Sequence, residues 1–304
     1  MTKNNHLTLL LYHGVCNKQK KGVANSSGKH IDVDEFHSQM KIIKNNYSVH
    51  SIDDIVTFHN KGETWPNNSV VITFDDGFKN NFEIAAPILD DLKLPAVFYV
   101  CSGMIGTDKM FWVDMIEDCI NRTNANNIKI RLIEEHFFNL NSESEKILSI
   151  NKIKNFCKKS TTNEKNRIIA ELINETKVSP TINSYNNYQM MDWKELIALD
   201  QNKLFTIGGH TLNHEVMTAQ SLEITKLDVK KTINLLKNYL DHDIIHFSYP
   251  EGQVNHFNKN IIKVLKNNGI VCSPSAIDGV NEFPTNLFQL KRIMPGFMGK
   301  PFPL

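Results

Sequence analysis

Val70-Val-Ile-Thr-Phe-Asp75-Asp76-Gly77 sets five apolar or β-branched residues directly against two adjacent carboxylates. The run is short and does not alternate, as in a strand of a parallel sheet buried on both faces. Ending such a strand in two acids is costly unless they face a cleft, a cation or hydrogen-bond donors. Successive residues at a strand end point different ways, so Asp75 and Asp76 are expected to differ in role. Taken alone, an Asp-Gly turn closing a strand accounts for the motif equally well.

Outward from this stretch, Leu7–Tyr12, Ala96–Val100, Leu204–Ile207 and His246–Tyr249 read as strands of the same kind. Segments of helical period lie between them: 33–45 behind a cap at Asp32 or Asp34, 82–92, 221–240, and 258–268 ending at Gly269 before the strand 270–272. Strand–helix alternation from end to end predicts an α/β barrel or sheet with right-handed crossovers. The segment 116–188 breaks the rhythm. It is rich in Asn, Lys and Glu with helical patches at 146–156 and 164–173 and no strand, so it is expected to be a helical insertion in a single 1–304 domain. Its Phe137, Phe138, Ile147, Leu148, Phe156 and Leu172 are expected to be buried.

The 304 residues are 41% hydrophobic and 22% charged, which excludes wholesale disorder. Lys+Arg 34 against Asp+Glu 33 leaves a net charge of +1, too balanced for a dedicated nucleic-acid binder. No apolar run approaches the roughly 20 residues of a membrane span. Leu7–Leu11 is too short for a signal-peptide core, so the expected location is the cytoplasm. The five cysteines are far apart with no Cys-x-x-Cys, the pattern of reduced thiols.

A second motif, Phe205-Thr-Ile-Gly-Gly-His210-Thr-Leu-Asn-His214, opens from a strand through two glycines into His-x3-His. Helical geometry there would set both imidazoles on one face, as a divalent metal needs. In α/β barrels active sites gather where strands end at their C-termini. Asp76 with two histidines would leave coordination positions open, the pattern of a catalytic metal. A third motif, Tyr249-Pro250-Glu251-Gly252, makes a turn straight after a strand, and its backbone N–H groups suit an oxyanion.

Thr73-Phe-Asp-Asp-Gly77, His210-Thr-Leu-Asn-His214 and Tyr249-Pro-Glu-Gly252, in that order, resemble the polysaccharide deacetylase (NodB-homology, carbohydrate esterase family 4) family. Leu11-Tyr-His-Gly14, Phe111-Trp-Val-Asp114, Met191-Asp-Trp-Lys-Glu-Leu196 and Leu290-Lys-Arg-Ile293 add to the likeness, which is closest to bacterial members with an N-terminal Leu-Tyr-His motif. The resemblance implies a distorted (β/α) barrel using one divalent metal, zinc first, with cobalt, nickel, iron or manganese as alternatives. By the same resemblance Asp76, His210 and His214 hold the metal and Asp75 is the general base. Thr211 braces the metal loop by hydrogen bonding, and the Glu251 N–H is the oxyanion donor, with Tyr249 and Pro250 in support.

Two departures from the family pattern stand out. The arginine that many members carry two residues before the motif proline, where it orients the base, is here Ser248, and Arg292 is the candidate to substitute. The C-terminal general-acid histidine is also absent, and His13 is its natural replacement. The expected function is removal of an N-acetyl group, with formyl and O-acetyl as variants, from an amino sugar or glycan. The alternatives are a hydrolase of ureides or cyclic imides and a glycan-binding module with a vestigial site. A complete metal set argues against the first, and retention of a base against the second.

Overall fold

The computed structural model describes residues 6–17 and 21–303. Met1–Asn5, where the leader reading begins, lie outside them. The described residues fall into two compact units. One lies within Met1–Asn17, Gly28–Thr107 and Met190–Leu304, the other within Lys18–Ser27 and Asp108–Gln189.

The first unit is built on four parallel strands in the order β1 (His6–Tyr12), β2 (Ser69–Phe74), β3 (Ala96–Val100) and β4 (Phe205–Gly209). Their register runs Tyr12↔Phe74, Phe74↔Phe98 and Val100↔Gly209, so β1 and β2 end level with each other, as do β3 and β4 slightly further along. Side chains of alternating direction feed two cores, as the pleat requires. Leu10, Val70, Ile72, Phe74 and Phe98 pack against Phe36, Met40 and Ile43 of α1 (Val33–Asn46). Leu7, Leu9, Val71, Val97 and Tyr99 pack against Phe247, Tyr249 and Leu290. Each of these buried side chains contributes about 1.5–3 kcal/mol of hydrophobic stabilisation.

The ring closes irregularly. Gly209 N donates to His246 O (2.9 Å), Phe247 N to Cys272 O (3.1 Å) and Ser275 N to Leu290 O (2.8 Å), and the short strand β5 (Arg292–Ile293) pairs parallel with β1. His246–Tyr249 and Ile270–Cys272, expected as full strands, therefore take part only through single bridges. This is a distorted α/β barrel. The two glycines ending β4 permit its closest approach, since a Cβ on Gly208 would lie 2.5 Å from the Tyr99 ring.

Helix ends follow the side-chain caps. Asp32 accepts from Asp34 N and Glu35 N, Ser221 caps α2 (Leu222–Leu240), and Asn258 caps α3 (Lys259–Asn267). The segment read as one helix over 82–92 begins instead with a wider turn at Asn81–Ala85 before the α-helical Ala86–Leu92.

The second unit contains the helices Trp112–Arg122, Glu143–Cys157 and Thr162–Thr176, together with an antiparallel hairpin of Asn127–Arg131 and Glu135–Asn139. The expectation of a segment without strands is corrected here. The hairpin buries Ile128 and Ile130 on one strand and Phe138 on the other, too few apolar residues to stand out among polar neighbours. Phe138 and Leu172 join this core, whereas Phe137 and Leu148 are exposed, contrary to expectation. Among the described residues no helix is long and apolar enough to cross a membrane, and no disulfide joins the five cysteines, all of them buried.

Candidate active site

A continuous line of backbone hydrogen bonds runs across the strand ends. Asp75 N donates to Tyr12 O (2.9 Å), Cys101 N to Asp76 O (3.1 Å), His210 N to Val100 O (3.0 Å) and Ser248 N to Gly209 O (2.9 Å). His13, Asp75, Asp76, His210 and Ser248, scattered over most of the chain, are thereby brought to one rim.

Asp76 is buried and has a left-handed backbone (φ +80°), which turns its carboxylate away from the strand. Its Oδ1 lies 3.7 Å from His210 Nε2 and 3.5 Å from His214 Nε2, and one ligand atom from each of the three lies within 4.8 Å of the others. The histidines are not on a helix, as the spacing had suggested. Residues 211–213 form a turn, with Thr211 (φ +64°) and His214 (φ +59°) left-handed. His210 Nδ1 donates to Ser248 O at 2.8 Å, which directs the lone pair of Nε2 at Asp76. Two ligands of one zinc ion at about 2.1 Å in tetrahedral arrangement stand about 3.4 Å apart. The two imidazoles and the carboxylate thus have the chemistry and the spacing to hold a divalent cation.

Asp75 faces the other way. Arg292 grips it with two bonds, Nη1 to Oδ1 and Nη2 to Oδ2, both 2.7 Å. Ser248 Oγ donates to Asp75 Oδ2 (3.2 Å) and accepts from Arg292 Nη2 (2.9 Å). The guanidinium is 1% exposed and spends its remaining N–H groups on Ser275 O (2.6 Å) and Thr73 Oγ1 (3.1 Å). Burial would push the Asp75 carboxyl up, but Arg292 and then His210 outweigh it and hold the pKa at about 2. Asp75 Oδ2 is also 3.9 Å from His210 Nε2, so the ionised carboxylate borders the cation site.

His13 follows β1 and is half-buried, with Asn81 Nδ2 donating to its carbonyl at 2.8 Å. Burial lowers its imidazole pKa to about 3, against the pull of Asp75 and with the help of Lys29, His214 and Arg292. Glu251 is half-buried with φ +60°, in the turn that follows Ser248. Pro250 is buried, and Tyr249 is a core residue stacked on Phe257 (4.3 Å), its hydroxyl donating to Phe288 O (3.1 Å). One expected bond is missing. The Thr211 hydroxyl is buried with no hydrogen-bond partner among the described residues, and Thr211 holds its loop through its backbone carbonyl, which accepts from Ser102 N (3.2 Å). Ser248 was read from sequence only as a missing arginine, and its contact with both Asp75 and Arg292 was not foreseen.

A family profile for polysaccharide deacetylase matches residues 62–140 and 155–273. Over 115 residues the chain is 30% identical to a poly-beta-1,6-N-acetyl-D-glucosamine N-deacetylase of Staphylococcus aureus (strain MSSA476), a stretch covering 38% of this chain and 37% of that relative. Among solved structures it is similar to Streptococcus pyogenes deacetylase PplD in complex with acetate (TM-score 0.62, 15% identity, covering 95% of this chain and 92% of that one). It is also similar to IcaB from Ammonifex degensii (0.61, 15%, 95% and 91%) and to a de-N-acetylase from Aggregatibacter actinomycetemcomitans (0.58, 17%, 95% and 94%). At these identities the structural likeness is one of fold.

Proposed function

The chain belongs to the polysaccharide deacetylase family, and from that premise we propose that it hydrolyses the N-acetyl group of an amino sugar within a glycan, releasing acetate and the free amine. The observation that carries the reading is the convergence of Asp76, His210 and His214 beside an arginine-held Asp75. The named relative favours a β-1,6-linked N-acetylglucosamine polymer as the substrate class.

Asp76, His210 and His214 would hold a divalent cation, zinc in the first instance, which when bound acidifies water and polarises a carbonyl. Asp75 is the base that accepts a proton from the attacking water. Arg292 and Ser248 fix its oxygens, and the low pKa keeps it ionised and ready at neutral pH. The Glu251 N–H is the oxyanion donor. His13 serves the leaving nitrogen. With pKa values of about 2 and about 3, neither Asp75 nor His13 carries a proton at rest. The proton that the amine needs is therefore the one Asp75 has taken from the water: Asp75 gives it up to His13 as negative charge develops on the substrate, and His13 delivers it to the leaving nitrogen.

The test is product analysis. Zinc-loaded protein is incubated with β-1,6-linked oligomers of N-acetylglucosamine and, separately, with N-formyl and O-acetyl analogues. Acetate and free amine in equal amounts from the first substrate are expected. Release from the O-acetyl analogue alone would overturn the amide reading.

A further inference from the structure

The turn that carries His214 is fastened unequally on its two sides. On one side, His210 O accepts from the Cys101 thiol (3.2 Å), Thr211 O from Ser102 N (3.2 Å) and Leu212 O from Gly103 N (2.9 Å). A Cβ on Gly103 would lie 2.8 Å from Leu212 O, so the two stretches meet as closely as bare backbone allows. On the other side, Leu212 N donates to Asp228 Oδ1 at 3.0 Å, and Thr232 Oγ1 donates to the same oxygen at 3.2 Å. Asp228 sits in α2 among the inward-facing Thr225, Val229 and Thr232, a position where an acid needs a partner.

The turn needs such fastening. Left-handed backbone at a residue other than glycine is strained and persists only where its surroundings impose it. Thr211 and His214 both have it, and the Thr211 hydroxyl gives no brace. His210 is tethered at Ser248 O, and His214 closes the same turn, whose Leu212 N–H Asp228 holds.

We infer that Asp228 is a positioning residue: by pinning Leu212 N–H it holds the 210–214 turn in the shape that sets His214 against Asp76 for a divalent cation. The inference rests on reading Asp76, His210 and His214 as the cation site. Its test is the zinc affinity of the purified full chain, measured by chelator competition, with the absorption bands of the cobalt-loaded protein reading ligand geometry. Asp228→Ala is expected to bind zinc about 10–100-fold more weakly, with altered cobalt bands. Asp228→Asn, whose side-chain oxygen still accepts from Leu212 N–H, is expected to keep both. Wild-type affinity and bands in Asp228→Ala would overturn the inference, as would Asp228→Asn failing as badly as Asp228→Ala. Should Asp228→Ala not fold, Thr232→Val removes only the buttress: weaker zinc binding supports the role, and unchanged affinity overturns it. A wild-type chain that binds no zinc contradicts the cation site itself, and this inference falls with it.

Discussion

Asp75 and Asp76 are neighbours in sequence with separate tasks in space. Asp75 is held by Arg292 and Ser248, while Asp76 is turned by its left-handed backbone towards the two histidines. Asp75→Asn should keep the cation and lose on the order of 10²–10⁴ in rate, the usual worth of a general base. Asp76→Asn should instead weaken cation binding. Elemental analysis beside single-turnover kinetics separates the two, and the opposite pattern would reverse the assignments. The acids and histidines were legible because charged and imidazole side chains directly after apolar runs have few structural uses. Arg292 was reached only as a substitute for an arginine missing at Ser248. Asp228 was not reached at all, although an acid on the inward stripe of a helix was the signal to follow.

At the scale of elements, the four central strands were legible because nearly every residue in them is buried on one face or the other, which leaves short runs dominated by apolar residues. The hairpin over 127–139 was not, because its outward residues are polar and its inward ones few. The turn after β4 does not take the helical geometry that would have set both imidazoles on one face. His-x3-His spacing suits a helix, and nothing in Thr211, a β-branched residue, announces a left-handed backbone. The glycines before it are a packing requirement of the barrel. Gly208→Ala forces a Cβ into the Tyr99 ring, and overpacking of this kind costs about 1–3 kcal/mol. Urea denaturation should show that loss, and a variant as stable as the wild type would mean that Tyr99 has room to move.

Taken whole, every residue assigned to the site lies in the first unit, from His13 to Arg292. The α/β class was legible from the alternation of strand and helix. The membership of the second unit was not, because its segment 18–27 carries little apolar signal besides Val23, which is buried in that core. The barrel also sets a direction for acid stability. His13 and Asp75 both have folded pKa values, about 3 and about 2, below their unfolded values of about 6.5 and about 3.9. Each contribution is complete above the unfolded value and is lost as pH falls through the folded one. The melting temperature of the cation-free protein should therefore fall from about pH 6.5 downwards, and less steeply in His13→Gln. Identical slopes in the two proteins would remove His13 from the account.

The central claim, that one divalent cation at Asp76, His210 and His214 supports amide hydrolysis by Asp75, is tested most directly by a titration. Chelator-stripped protein receives zinc in steps while acetate release from an N-acetylglucosamine oligomer is followed. The account predicts no release without zinc, a rise that saturates at one zinc per chain, and no rise in His214→Ala. Full release from stripped protein, or full zinc uptake and activity in His214→Ala, would contradict it.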